Sequence, residues 1–319
     1  MVSTKFAATS APLRAAFWMS CAAALFTGMV ICVRLLSDTM SVFEINFFRA
    51  VIGLVAMLPL ILQRGVGKMR TNKLPLYVLR TLLGYAGMLC FYSAIAHLDL
   101  VTATTLNISA PLFGVFFAWL ILREKVRLQR WLLTVLGFVG AMVLIRPGFT
   151  EVNIWILIAF ASAAMYALTT LSIKVLSNTE PVTRMVFYMN LLFVPASLPL
   201  ALVYWVDPTW NDLPFIFGVG LTATTGHFCF AQACKQADAS VVIPFDFLRL
   251  PFAAIAGFML FASVPDIWTV VGGLIIFLSI VMLTRLETKR SGQAKLAATP
   301  DPVETSPVED ERIGRGKID

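Results

Sequence analysis

Five ionisable side chains interrupt stretches that are otherwise apolar: Glu44, Arg49, Arg80, Asp246 and Arg249. A charge at the centre of a lipid-embedded helix costs roughly 2.5–3.5 kcal/mol on insertion scales, so such residues are kept where they pair, line a watery space or bind something. Asp246 and Arg249 are three apart, which places them on one helix face where they can pair. Glu44 and Arg49 are five apart and point to different faces, so Glu44 is expected to meet a neighbouring helix. At ~1.5 Å of rise per residue, Arg80 lies about 9 Å inside its helix and Arg249 about 15 Å inside. The first can snorkel to the membrane surface; the second is too deep. Three arginines against two carboxylates leave the interior positive, so a ligand there is expected to carry a carboxylate or another anionic group. The plainer alternative is an ion pair that only fixes helix packing.

Other polar and helix-breaking residues fall near the same depth. His227 sits beside Thr222, Thr224 and Thr225, with Gln232 further on. A histidine can carry protons near neutral pH, though a lone one is commonly a satisfied hydrogen-bond donor. Pro111, Pro244 and Pro251 each remove a ladder donor and free the carbonyl four residues earlier, those of Asn107, Ser240 and Phe247. Non-helical backbone at membrane depth is tolerated only against protein or water, so Asn107 and the three prolines are expected near a central cavity, or at kinks that serve packing. Aromatics such as Tyr92, Tyr166, Tyr188 and Phe245 supply further contact surface.

Catalytic and cofactor chemistry is not indicated. The two histidines, His97 and His227, lie in different apolar blocks, and no Ser/His/Asp or HExxH arrangement occurs. The five cysteines (Cys21, Cys32, Cys90, Cys229 and Cys234) lack metal-ligand spacing and fall in apolar blocks, as small buried side chains do. No GxxxxGK[ST] phosphate loop is present. The expectation is no enzyme, no cofactor and no metal.

The elements that must position these residues follow from composition. Of 319 residues, 59% are hydrophobic and 13% charged, against about 45–50% and about 25% in soluble domains. The apolar blocks are about twenty residues long, the length that crosses a ~30 Å hydrocarbon core. They predict an all-α membrane protein of ten transmembrane helices at 15–36, 42–62, 74–97, 102–122, 130–146, 153–174, 182–205, 214–235, 239–262 and 267–284. Lys and Arg cluster in alternate connections, twenty on one side against only Arg34 and Arg146 on the other. The positive-inside rule then puts both termini in the cytoplasm. The net charge of +7 is therefore topological and predicts no nucleic-acid partner. Lys5 and Arg14 precede the first block without a cleavage site, so that block is read as a retained helix. Residues 285–319 lose the apolar pattern and are expected to form a disordered cytoplasmic tail.

A shift of 140 positions brings the chain onto itself. Val33 to Thr39 lies over Ile173 to Thr179, Leu58-Pro59-Leu60 over Leu198-Pro199-Leu200, and Pro111 over Pro251. Apolar matches arise by chance; shared prolines and a shared polar string at one offset do not readily do so. Five spans per copy is an odd number, so the copies would be inserted in opposite senses. The organisation read is a cytoplasmic N-terminus (1–14), two inverted five-helix repeats (15–146 and 147–284) and the tail.

The run from Pro111 to Glu124, followed by Gly137, Gly140 and Arg146-Pro147-Gly148, resembles the EamA repeat of the drug/metabolite transporter superfamily. Phe48-Arg49 and Leu79-Arg80-Thr81 fit its second and third helices. The second half departs from the pattern at Phe261-Ala262-Ser263, where the family has a glutamate before Val264-Pro265-Asp266. Within the superfamily, the segment from Ser41 through Glu44 to Arg49 and Gln129-Arg130-Trp131 are similar to S-adenosylmethionine uptake transporters. The segment from Phe247 to Phe252 is similar to the riboflavin-transporter branch. The resemblance spans residues 15–285 and implies a secondary transporter in a bacterial inner membrane. It would move a small organic metabolite by alternating access, with Arg249 and Arg49 on the substrate, Asp246 and Glu44 holding those arginines when it is empty, and Arg80, Asn107 and His227 nearby. Partners are then a small-molecule substrate and the lipid bilayer. An exporter of the same fold, and a membrane scaffold or lipid flippase, are the alternatives; oligomeric state is not given by these residues.

Overall fold

A computed structural model describes residues 11–64, 69–121, 123, 127–146, 153–177, 179–236 and 245–297. Within them the chain is helical: α1 (Ala11–Leu36), α2 (Val42–Arg64), α3 (Leu74–His97), α4 (Leu100–Ile108), α5 (Ala110–Leu120), α6 (Leu128–Ile145), α7 (Ile154–Ser177), α8 (Val182–Val203), α9 (Leu213–Gln236), α10 (Arg249–Phe261) and α11 (Ile267–Ala297). Among the described residues, eight segments are long and apolar enough to cross a membrane, α4 and α5 counting as one; α10 and the apolar part of α7, Ile154–Thr170, are shorter.

Local sequence explains where these helices begin and end. Ser41 and Glu44 form a reciprocal cap at the start of α2: Glu44 N–H donates to Ser41 Oγ at 3.3 Å, and Ser41 N–H donates to Glu44 Oε2 at 3.2 Å, the capping-box pattern. Asp99 caps α4 by accepting from Thr102 N–H at 2.8 Å. Arg146 and Ala262 close α6 and α10 with φ of 51° and 49°, left-handed positions usually given to glycine. The fourth apolar block is broken at Ser109, between α4 and α5, and Pro111 lies in the first turn of α5. Its missing N–H is there one of the unpaired donors of any helix start. Pro251 likewise lies in the first turn of its helix, as the third residue of α10. Pro244 lies outside the described residues. The last helix continues to Ala297, past the 284 limit read from composition, so the described part of the expected tail is helical.

Side-chain exposure is inverted relative to a water-soluble protein. Leu128, Leu132, Val135 and Val139 line an outer face of α6, and Ile255, Phe258 and Met259 one of α10. Glu44, Asn46, Arg49, Arg80, Asn107 and Asn190 are buried. Trp205 and Trp210 stand exposed between α8 and α9, as interfacial aromatics do.

The most extensive packing joins residues before 146 to residues after 153. Helix α1 lies along α9, α3 along α7, α2 along α8, and α6 along α11. Exchanging the two halves turns α1·α9 into α7·α3 and leaves α2·α8 and α6·α11 unchanged. At the last of these the backbones nearly touch: a Cβ on Gly272 would lie 2.6 Å from the Gly140 carbonyl, and one on Gly140 3.0 Å from that of Gly272. Small residues permit such approach in lipid, where close van der Waals contact replaces the hydrophobic drive.

Candidate functional site

Charged residues on α2 and α10, one helix from each half, lie against aromatic rings of the opposite half. Asp246 lies on a short helical turn just before α10, and Arg249 is the first residue of α10. Their atoms Oδ1 and Nε are 2.6 Å apart, with 22% and 17% of the side chains exposed. The break before Pro251 puts Asp246 at the N-terminal end of α10, where the helix dipole favours an anion. The Arg249 guanidinium carbon sits 4.2 Å from the Phe26 ring centroid. His227 meets that ring edge-on at 5.0 Å. Phe26 on α1 thus receives a cation on its face and an imidazole at its edge.

Arg49 is 1% exposed and lies over the Phe193 ring at 5.1 Å. One turn beyond it on α2, a Cβ on Gly53 would lie against Asn190 of α8 and Thr224 of α9. Thr224 stands one turn before His227 on α9. Residues from α1, α2, α8, α9 and α10 are therefore linked by contacts across the two halves. An anionic or zwitterionic group entering between these helices would meet two guanidinium groups, one of them already balanced by a carboxylate, and several ring faces.

The remaining predicted residues have mostly structural partners. Glu44 was expected on a neighbouring helix, holding an arginine. It is instead committed to Ser41 at the start of its own helix, because Ser41-x-x-Glu44 satisfies two orphan helix-end donors at once; its Oε1 has no partner. Arg80 is buried and donates from Nη1 to the Met185 carbonyl at 3.2 Å, tying α3 to α8. Asn107 Nδ2 donates to Ser162 Oγ at 3.1 Å, joining the end of α4 to α7. His227 Nδ1 pairs with the Ala223 carbonyl of its own helix at 2.8 Å. No group of His, Cys, Asp and Glu able to hold a metal occurs among the described residues.

Phe26 and Phe193 were not singled out from sequence. In a chain with 25 phenylalanines, nothing local marks the two that face guanidinium groups. Asn190 and Thr224 were also passed over as site residues, although an asparagine within an apolar block is itself a signal.

Three polar contacts, at two places, join connections belonging to different halves. Thr39, between α1 and α2, donates to Asp212 Oδ1 at 2.8 Å, while Asp212 Oδ2 accepts from Thr209 N–H and Oγ1. Lys73, just before α3, donates to Thr179 Oγ1 at 2.7 Å, and Thr71 donates to Glu180 at 2.9 Å. Thr39 and Thr179 are equivalent under the 140-residue shift. Asp212 and Lys73 each immediately precede a helix, α9 and α3.

Comparison with known proteins agrees with this architecture. Residues 13–146 and 153–285 each match the EamA-like transporter family. The chain is 31% identical over 247 residues to an S-adenosylmethionine uptake transporter of Rickettsia prowazekii, covering 77% of this chain and 84% of that protein. It is 33% identical over 243 residues to a riboflavin transporter of Vibrio cholerae, covering 75% and 82%. It is 28% identical over 263 residues to a pseudopaline exporter of Pseudomonas aeruginosa, covering 82% and 92%. With two family matches, apolar helices of membrane-crossing length and lipid-type outer faces, the chain is a multi-pass bacterial membrane protein belonging to the EamA-like transporter family.

Proposed function

We propose that this protein is a secondary transporter that carries a small organic metabolite with an anionic or zwitterionic group across the inner membrane by alternating access. The observation that carries the reading is the crosswise placement of two guanidinium groups, Arg49 of one half over Phe193 of the other and the ion-paired Arg249 of that half over Phe26 of the first. Transporters built from inverted repeats place their substrate near the midplane at the repeat interface. Packing that survives exchange of the halves supports ten spans arranged as two inverted five-helix repeats, and the one-sided distribution of Lys and Arg supports cytoplasmic termini. Arg249 and Arg49 bind substrate, and Asp246 holds Arg249 when the site is empty. The Thr39–Asp212 contact and the Lys73–Thr179 and Thr71–Glu180 contacts would close opposite mouths.

The relatives are named for S-adenosylmethionine, riboflavin and pseudopaline, so a substrate of metabolite size is favoured over a lipid. Export is the second reading, favoured by the pseudopaline exporter's cover of 82% of this chain. The test is flux of labelled S-adenosylmethionine, riboflavin and amino acids into proteoliposomes of both protein orientations. Parent protein should move at least one of them in a saturable way. Arg249→Ala should lower that flux by about tenfold or more, since removing one member of a desolvated charge pair costs ~2–5 kcal/mol. Lipid scrambling with no solute flux, or undiminished flux in a well-expressed Arg249→Ala protein, defeats the proposal.

A further inference from the structure

We propose that Arg49, Asn46, Asn190 and Thr224 form a subsite that grips an amino-carboxylate, the head of an α-amino acid; this rests on the transport reading above. The starting point is unmet hydrogen-bonding capacity gathered in one place. Arg249, Arg146 and Arg184 are ion-paired, and Arg34 and Arg80 donate to backbone carbonyls. Arg49 differs: both Nε and Nη1 are buried without a partner, and it is the arginine with two such atoms among the described residues.

The same patch holds unpartnered oxygens. Asn46 lies one turn before Arg49 on α2; its Nδ2 is used on the Val42 carbonyl, while Oδ1 has no partner. One turn beyond Arg49 is Gly53, where a Cβ would lie 2.7 Å from Asn190 Oδ1 and against Thr224 Oγ1. The missing side chain lets α8 and α9 bring those two oxygens onto α2. Asn190 spends its Nδ2 on the Val186 carbonyl, leaving Oδ1 free. Thr222 and Thr225 donate back to carbonyls of their own helix; Thr224 Oγ1, between them, has no partner. Buried polar atoms are nearly always satisfied, and exceptions call for a reason such as an absent ligand.

The types of the unmet groups select the ligand. Cationic N–H donors on Arg49 require an anionic acceptor, and charge-assisted bonds of that kind are the strong ones. The Asn46 and Asn190 carbonyl oxygens beside them only accept, so they require N–H donors and disfavour a second anion, which argues against a phosphate, while the Thr224 hydroxyl can accept or donate. An ammonium next to a carboxylate supplies both. The patch lies where α2 of one half meets α8 and α9 of the other, and its atoms are sealed from solvent. A ligand reaches it when these helices part, and it satisfies the seam when they close.

The experiment uses the purified full-length chain in detergent, with thermal shift at millimolar L-methionine, L-methioninamide, 4-(methylthio)butanoate and thymine. These probes carry respectively the whole head, the head without its carboxylate, the head without its amine, and a neutral ring imide. Thr224→Val and Asn190→Leu keep side-chain volume, and Thr224→Val removes an unpaired hydroxyl, so neither is expected to unfold the protein. L-methionine should bind and both single-group analogues should bind about tenfold more weakly, one unmet charged contact being worth that factor. Each substitution should weaken L-methionine by a similar factor. Thymine binding that both substitutions weaken would assign the patch to a ring imide and overturn the amino-carboxylate. L-methionine binding unchanged in both variants, or no binding of any probe, overturns the subsite. Flux of the wider metabolite panel in proteoliposomes, scored separately, decides whether transport itself stands.

Discussion

Asp212 shows what a single side chain contributes at the rim of the bundle. Its carboxyl accepts from the Thr209 hydroxyl and backbone N–H and from the Thr39 hydroxyl, and these bonds hold it below the usual carboxylate range. A carboxyl depressed in this way adds stability above its unfolded pKa, ~3.9 for aspartate, and the contribution fades as pH falls through the folded value. Asp212→Asn should therefore lower the thermal midpoint at neutral pH, and the gap should begin to narrow as pH drops below about 4 and close below the depressed folded value. A gap of constant size from pH 7 to acid, read by unfolding in detergent, would contradict this. At the same scale, Asp246 and Arg249 were legible because a spacing of three is a helical contact. Glu44 was misread, although Ser41-x-x-Glu44 spells its cap, because a carboxylate in an apolar block draws attention to its charge before its position at a helix start. The ring partners Phe26 and Phe193 were not legible, since which phenylalanine faces a guanidinium is decided by packing between remote helices.

Among the elements, block length matches eight helices of membrane-crossing length among the described residues, because about twenty apolar residues have few other uses; the blocks at 153–174 and 239–262 hold the shorter apolar helices Ile154–Thr170 and Arg249–Phe261. Pro111 likewise announced the break between α4 and α5, which falls two residues earlier, at Ser109, so that the proline starts a helix. Composition placed the end of the last helix too early: charged residues after 284 still continue α11 as far as Ala297. The glycines were legible only as motif letters, and their geometry gives them different weights. Gly272 meets the Gly140 carbonyl and Leu144, so Gly272→Ala forces backbone apart and should cost about 1–3 kcal/mol. Nothing lies within 4 Å of a Cβ on Gly114 in α5, so Gly114→Ala should be neutral or stabilising by up to ~1 kcal/mol. Equal thermal midpoints for the two variants would show that the α6·α11 contact is looser than described.

For the whole molecule, the 140-residue offset revealed duplication but not which helices pair, because adjacency in lipid depends on shape and not on a sequence period. The rim contacts give that architecture a mechanical test. In a protein cleared of native cysteines, Thr39→Cys with Asp212→Cys, and separately Lys73→Cys with Thr179→Cys, are joined by a short thiol crosslinker. Either bridge alone should stop flux, because each mouth must open once per cycle, and reduction should restore it. Full flux with one mouth bridged would rule out a cycle in which both open in turn.

The pairing of α1 with α9, α3 with α7 and α6 with α11 also bears on how the protein is made. The ribosome releases every early helix before its main neighbour exists. Arg49 and Arg80 must wait in the bilayer until α8 arrives to cover them, so the first half is a dependent intermediate during biogenesis. A nascent chain arrested near residue 150 should be a ready target for membrane quality-control proteases, and a separately synthesised second half should rescue it.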